Sequence, residues 1–403
     1  MRISTAQIYN AGVSGIDQQQ STLSHTQQQI ASGRRIQTPS DDPIAASQAL
    51  TLSQAKDRIT QYGDNIAAAK DALGLNDSVL SQVTDVLQSL RTLVVQAGNP
   101  SLNDTDRASL ATATAGQLQT LLGIANTKDA DGHYLFSGFA GNTQAFSTAA
   151  SGAIVYNGDQ GDRTLDVAPG RSMQASYNGA SVFEQVRNGN GSFVATAAST
   201  NTGAGTISAG SVVNPSVLPG DSYRLQFNVS GGVTTYDVID ATTSATVSSG
   251  NAYTSGGNIT VAGMQVAVSG APASGDTFIL APSTSQSVFT TIQGLITTLR
   301  TSASGAAGTA QLQNGLTAAL ANIDQASDHV LTIRASAGAG LSELDSLASS
   351  NSDRSLQYDT TMSHLTDLDY NKALSDFARQ QLSLQAAQKS FAAISSLSLF
   401  SFL

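Results

Sequence analysis

Four histidines, His25, His133, His329 and His364, are the side chains of this 403-residue chain best suited to proton transfer or metal ligation. None has a second histidine or a carboxylate at a spacing that makes a metal-binding motif, so each reads as a structural or surface residue. Asp129-Ala130-Asp131-Gly132 has the opening of a calcium loop. The later ligands and the closing bidentate Glu do not follow, and a turn is the expectation. Asp41-Asp42 has the makings of an acid/base pair, but carboxylates directly before Pro43 read better as helix caps, with Ser40 or Asp41 as the N-cap. The chain has no Cys, which removes thiolate metal sites, Cys nucleophiles and disulfides. No Gly-x-Ser-x-Gly, P-loop or dinucleotide fingerprint occurs. The expectation is therefore a protein that is not an enzyme, with no catalytic residues, no metal site and no cofactor.

Composition narrows the remaining classes. Charged residues make up 12% of the chain and apolar residues 40%, which argues against simple disorder. The net charge is −10, carried by the middle of the chain. Residues 1–40 hold Arg2, Arg34 and Arg35 against Asp17, and the segment from Tyr370 onward holds Lys372, Arg379 and Lys389 against Asp376. An acidic chain without a basic stripe predicts no nucleic-acid partner. The start, Met1-Arg2-Ile3-Ser4-Thr5-Ala6-Gln7, lacks an apolar h-region, so no cleaved secretory signal is expected. No stretch is apolar over a membrane-spanning length, and no membrane insertion is expected.

The elements follow from periodicity. Residues 1–140 and 285–403 read as helix and 141–284 as strand and turn. The predicted fold is mainly α: a long antiparallel coiled-coil bundle formed by both chain ends, with one or two β-rich outer domains inserted in the middle. The expected bodies are 1–45 with 365–403, 46–140 with 285–364, and 141–284, the last with a division near 190. Positions 59, 62, 66, 69, 73, 76, 80, 83, 87, 90, 94 and 97 follow strict 3-4 spacing and are apolar except Asn76, which reads as a register-setting core residue. Gly98-Asn99-Pro100 stops that helix. A second seam runs from Leu312 to Leu347, with Ala337 and Gly340 small enough for close helix approach. Thr105–Ala125 supplies a third helix. In the middle, Tyr223, Leu225, Phe227 and Val229 alternate with polar residues, and Ser230-Gly231-Gly232 turns the chain into Thr235–Ile239, a hairpin.

The chain ends are weaker. Ile16, Gln20, Leu23, Gln27 and Ile30 keep 3-4 spacing, as do Tyr370, Leu374, Phe377, Gln381, Leu384, Gln388 and Phe391, but Gln dilutes both seams. Leu397, Leu399, Phe400, Phe402 and Leu403 make the carboxyl terminus apolar to its last residue. Such ends are expected to be loose in an isolated chain and ordered in an assembly. The predicted assembly interface is Ile16, Leu23, Ile30, Leu374, Phe377, Leu384, Phe391, Leu397, Leu399, Phe400, Phe402 and Leu403. Between the first seam and the next helix, Gly33 is placed as a C-cap, and the stretch to Pro43 reads as a hinge.

Motifs at both ends carry a family resemblance. Gln27-Gln28-Gln29-Ile30-Ala31-Ser32-Gly33-Arg34-Arg35-Ile36, followed by Ser40-Asp41-Asp42-Pro43, resembles the amino-terminal signature of bacterial flagellins and their relatives. Gly132-His133-Tyr134-Leu135-Phe136-Ser137-Gly138-Phe139, Tyr156-Asn157-Gly158-Asp159, Asp367-Leu368-Asp369-Tyr370 and Leu397-Ser398-Leu399-Phe400 resemble the hook–filament junction branch of that superfamily. The resemblance covers about residues 1–190 and 285–403, and residues 191–284 depart from the shortest members. It implies a structural subunit, located outside the cell in the flagellum after type III export without a cleaved signal. It implies copies of itself, a hook-side junction protein and flagellin as partners, and an export chaperone on the carboxyl-terminal helix. Flagellin itself, and a surface adhesin working through the β region, are the alternative readings.

Overall fold

The computed structural model describes residues 5–218 and 220–396. Leu397, Leu399, Phe400, Phe402 and Leu403 lie outside the described residues. The helices are α1 (Thr5–Ser32), α2 (Pro43–Ala97), α3 (Asp104–Ala125), α4 (Val288–Arg300), α5 (Gly305–Thr366) and α6 (Tyr370–Ser396), with short strands between α3 and α4. The chain divides into two compact units, residues 1–64 with 346–403 and residues 65–345. Helices α2 and α5 each run unbroken through the division.

In the larger unit the two long seams bury each other. All ten α2 seam positions in this unit, from Ile66 to Ala97, are buried; Ile59 and Tyr62, buried and half-buried, belong to the smaller unit. Ala319, Ile323, Ala326, Val330 and Ala337 of α5 are buried as well. A Cβ at Gly340 would lie 3.3 Å from Leu73 Cδ1, so this glycine does allow a close helix approach. Arg334 Nε donates to Asp77 Oδ1 at 2.9 Å and Arg91 Nε to Asp324 Oδ1 at 2.8 Å, and Lys70 pairs with Asp345. These pairings set the two helices antiparallel. Asn76 is fully buried, and its Nδ2 donates to Ala72 O at 2.8 Å. Helix α3 starts with a capping box between Asn103 and Asp106 and packs on α4. Each large aliphatic side chain buried here contributes about 1.5–3 kcal/mol.

Four aromatic rings close one end of this core. Phe183 meets Phe136 edge-on at 5.3 Å and Phe146 at 5.4 Å, and Phe289 lies 4.9 Å from Phe146. The strand pair Phe146–Thr148 with Ile154–Tyr156 and the single π-turn Ala180–Glu184 deliver these residues to the helices. A second core begins at Phe193 and gathers Leu225, Phe227, Met264, Val266, Val268, Phe278 and Leu280. Its five-stranded sheet is antiparallel. In spatial order the strands are Thr246–Ala252, Val233–Asp240, Tyr223–Ser230, Thr277–Pro282 and Phe193–Ala197. The expected hairpin is present. Gly231 (φ 59°) and Gly232 (φ 80°) make its turn in the left-handed conformation that glycine adopts without strain.

Strands Val186–Arg187 and Ser285–Gln286 pair with each other. The polypeptide from Asn188 to Thr284 therefore leaves and returns at one place. Side chains of α5 hold it there. Asn314 Oδ1 accepts from Ile207 N at 2.8 Å and its Nδ2 donates to Gly205 O at 3.1 Å, while Asn322 Oδ1 accepts from Gly189 N at 2.7 Å.

Candidate functional site

In the smaller unit α1 packs along α6, and the residues predicted to assemble lie on this pair. Ile16, Leu23 and Ile30 of α1 are half-buried against it, as are Phe377, Leu384 and Phe391 of α6. A Cβ at Gly12 would lie 2.7 Å from Phe391 Cδ2, and the Tyr9 and Phe391 rings sit 5.0 Å apart. Up to Ser396 the tail is a helix lying along α1. Helix α6 is formed and paired, because α1 supplies the apolar face that α6 lacks when considered alone.

The register of both seams also differs from the expectation. Gln20 and Gln27 face solvent, and Gln19 and the buried Thr26 take the seam on α1. On α6 the seam runs through Ala373, Phe377, Gln380, Leu384, Ala387 and Phe391. Gln381 and Gln388 are exposed, and Leu374 is 53% exposed. Small residues decide this. Ala373, Ala387 and Gly12 let the helices approach, whereas Leu374 in the seam would hold them apart. Leu382, 69% exposed, faces away from the seam. The pair is an imperfect core. The Oε1 atoms of Gln19 and Gln380 are buried without a hydrogen-bond partner, a cost of about 1–3 kcal/mol each.

Where α1 ends, the signature stretch forms a defined structure. Gly33 has φ 70° and donates to Gln29 O at 2.9 Å, as the C-cap expectation requires. Arg34 and Asp367 form an antiparallel bridge. In it Arg35 N donates to Thr366 O at 2.7 Å and Leu368 N to Gly33 O at 3.0 Å. The Arg35 guanidinium donates through Nη2 to Leu365 O at 2.8 Å and through Nη1 to Asp42 Oδ2 at 3.1 Å. Gln29 Nε2 donates to Arg35 O at 2.6 Å.

The cap on α2 is Asp42, not Ser40 or Asp41, because Asp42 Oδ1 accepts from Ala45 N at 3.0 Å. Asp41 turns back into the loop and accepts from Gln37 N and Thr38 N, both at 2.9 Å, with His25 Nε2 at 3.1 Å. The Thr38 and Gln37 amides, with a lesser contribution from His25, hold its carboxyl down at about 2. Asp42 is lowered as well, first by the Ala45 amide and then by Arg35. Asp42 is thus the helix cap, and Asp41 closes the loop in front of it.

One group of residues with metal-ligand chemistry lies in the larger unit. Asp129, Asp131 and His133 offer ligand atoms within 4.8 Å of one another, a proximity that the sequence reading of His133 missed. The turn through Gly132 (φ 84°) creates it. Asp129 Oδ1 accepts from Asp131 N at 3.1 Å and His133 N at 2.8 Å, and Arg163 Nη2 lies 3.8 Å from Oδ2. This carboxylate closes the turn. His329 Nε2 lies 2.7 Å from Ser181 O, and His364 lies in the last turn of α5.

Two of the junction-type motifs meet nearby. Asp159 accepts from Phe139 N at 3.0 Å, Ala140 N at 2.9 Å and Gly161 N at 2.8 Å. These amides, Phe139 foremost, lower its carboxyl. Tyr156 Oη lies 2.9 and 2.6 Å from the carbonyl oxygens of Phe136 and Asp159, and burial pushes its phenol up to about 12. Both motifs serve one hydrogen-bonded double loop that leaves Phe139 70% exposed.

Residues 3–140 match the bacterial flagellin N-terminal helical region. Flagellar hook-associated protein 3 of Salmonella typhimurium is 30% identical over 400 residues, 99% of each chain. The crystal structure of the flagellar junction protein from Legionella pneumophila is 32% identical and superposes with a TM-score of 0.72, covering 80% of this chain and 100% of that one. Flagellin of Listeria monocytogenes, 28% identical, matches over 105 residues, 26% of this chain and 37% of its own length. Flagellin is related through part of the chain, whereas the hook-associated likeness runs from end to end and includes the inserted β region. This chain belongs to the flagellar hook-associated protein 3 family.

Proposed function

We propose that this chain is a structural subunit of the bacterial flagellum that joins hook to filament, assembling through the paired helices α1 and α6. Its end-to-end relatedness to flagellar hook-associated protein 3 carries the reading. The chain ends support it. Ile16, Leu23, Ile30, Phe377, Leu384 and Phe391 are only half-buried in the single chain, and Leu374 stands in water. A helix pair that leaves so much apolar surface uncovered gains by burying it against further helices.

In this reading residues 1–45 with 365–403 form the assembling body, and the interface continues through Leu397, Leu399, Phe400, Phe402 and Leu403. The partners are further copies of the chain, the junction protein on the hook side, and flagellin on the filament side. An export chaperone covers α6 before the chain leaves the cell through the type III route. The role is mechanical rather than catalytic.

Seeded assembly tests the proposal. Purified protein is added to isolated hook ends that carry the preceding junction protein, with no flagellin, and the ends are viewed by electron microscopy. A short cap that stops growing is the expected result. Long filaments would make the chain a filament subunit, and bare ends would remove the assembly reading.

A further inference from the structure

We propose that the inserted segment from Asn188 to Thr284 carries a contact between copies of this chain, in which Arg224 of one copy pairs with Asp221 of the next. This contact rests on the assembly reading above and lies outside the terminal helices.

Arg224 is the single Lys or Arg between Asn188 and Thr284, against four carboxylates, Asp221, Asp237, Asp240 and Asp276. It stands on Tyr223–Ser230, the middle strand of the five-stranded sheet. Leu225 and Phe227 of that strand are buried in the core, so alternation puts Arg224 on the opposite face. Ile239 pairs with it on one side and Ile279 on the other, which leaves the cation between apolar residues. The side chain is half-buried, and its Nε is buried without a hydrogen-bond partner.

Other cations of the larger unit are provided for. Lys70, Arg91, Arg107, Arg163, Arg171 and Arg334 each lie against a carboxylate. Arg187 donates to Ser283 O, Lys128 lies over the Tyr134 ring, and Arg300 is exposed to water. Arg224 is half-buried and makes no ion pair among the described residues. A partly desolvated cation without a partner destabilises a fold, and an uncharged side chain of similar length would serve the sheet better. The residue makes physical sense with a carboxylate supplied from outside.

Three carboxylates of the segment are already committed. Asp237 accepts from Asn228 Nδ2 at 2.9 Å and Gly250 N at 2.7 Å. Asp240 accepts from Thr242 N at 2.8 Å and Thr243 N at 3.1 Å. Asp276 accepts from Thr202 N and Ala273 N, both at 2.8 Å. Asp221 is exposed and has neither an ion pair nor a hydrogen bond among the described residues. One free anion and one free cation thus stand on the same segment without pairing within the chain. Two-fold pairing of the Arg224 face with itself would set like charges together. An Arg224-to-Asp221 contact is head to tail, satisfies both charges and repeats from copy to copy.

Seeded assembly on hook ends that carry the preceding junction protein reads this contact, with the unchanged full-length chain as reference. Arg224→Asp alone and Asp221→Arg alone each set like charges together at every contact and should lower the number of capped ends about tenfold. An equimolar mixture of the two chains should restore capping, because each then meets the opposite charge on its neighbour. A pair formed within one chain would give no such rescue. Arg224→Met, which keeps length but not charge, should unfold at no lower temperature than the unchanged chain and still cap fewer ends. Normal capping by Arg224→Met or by either charge-reversed chain alone would overturn the contact while leaving the assembly reading intact. So would a mixture of folded variants that fails to cap, or a clear fall in the thermal transition of Arg224→Met. Ends left bare by the unchanged chain would overturn the assembly reading and this contact with it.

Discussion

A carboxylate that accepts hydrogen bonds from two backbone amides and lies beside a histidine gives up its proton easily, and Asp41 is such a group. Its folded-state value of about 2 lies below the ordinary 3.8, so its contribution to stability is complete above 3.8 and is lost as the pH falls toward 2. A carbon-detected NMR titration should place the Asp41 midpoint near 2, and the Gln37 and Thr38 amide signals should move with it. A midpoint near 3.8 would mean that the loop is not held as described. Gly33 invites a second test at this scale. Gly33→Ala forces a Cβ into the left-handed region, which costs about 1–2 kcal/mol, and pushes against Tyr370 Oη. Chemical denaturation should show a smaller loss when Gly33→Ala is combined with Tyr370→Phe than when it is made alone.

At the scale of elements, the two faces of α6 separate two kinds of damage. Leu384 faces α1, so Leu384→Asp places a charge in a half-buried seam without a counter-ion and should uncouple α1 from α6 in the isolated chain. Leu382 faces solvent. Leu382→Asp should leave the isolated chain within about 0.5 kcal/mol of the original and yet block incorporation at hook ends. Normal incorporation of Leu382→Asp would remove the outward face of α6 from the proposed interface. In the larger unit Phe183→Ala should cost about 3–5 kcal/mol by denaturant unfolding, because the ring is fully buried among Phe136, Phe146 and Phe289.

These elements were unevenly legible from sequence. The α2 and α5 seams could be read residue by residue, since large aliphatic side chains at 3-4 spacing leave one face to bury. The hairpin at Gly231-Gly232 was equally plain. On α1 and α6 the seam does run through Ile16, Leu23, Ile30, Phe377, Leu384 and Phe391, but the positions between them slip by one, because Gln and Ala carry little periodic signal and the choice of face rests on how closely two helices approach. Long-range polar partners were not legible. Neither the spacing of Asp159 from Phe139 nor that of Arg35 from Leu365 announces a hydrogen bond, and the turn that brings His133 to Asp129 and Asp131 depends on one glycine's backbone angle. The motifs themselves could be picked out, but their pairing required the fold.

At the scale of the whole molecule, each unit is compact by itself. The buried clusters of the larger unit lie within residues 65–345. Removing residues 370–403 should therefore leave its calorimetric transition nearly unchanged, while α1 loses its partner and its helical signal, and assembly is abolished. A large fall in that transition would show that the terminal helices support the larger unit. The same separation bears on the segment from Asn188 to Thr284. Its two ends are neighbouring strands, and its core shares no buried residue with the helical one. Such an insertion behaves as a cassette. A tight turn joining Arg187 to Ser285 should excise it without altering the path of the helices, and a foreign domain whose ends lie close together should fit the same socket. Variation in length can then accumulate at that one point while the rest of the protein keeps its form.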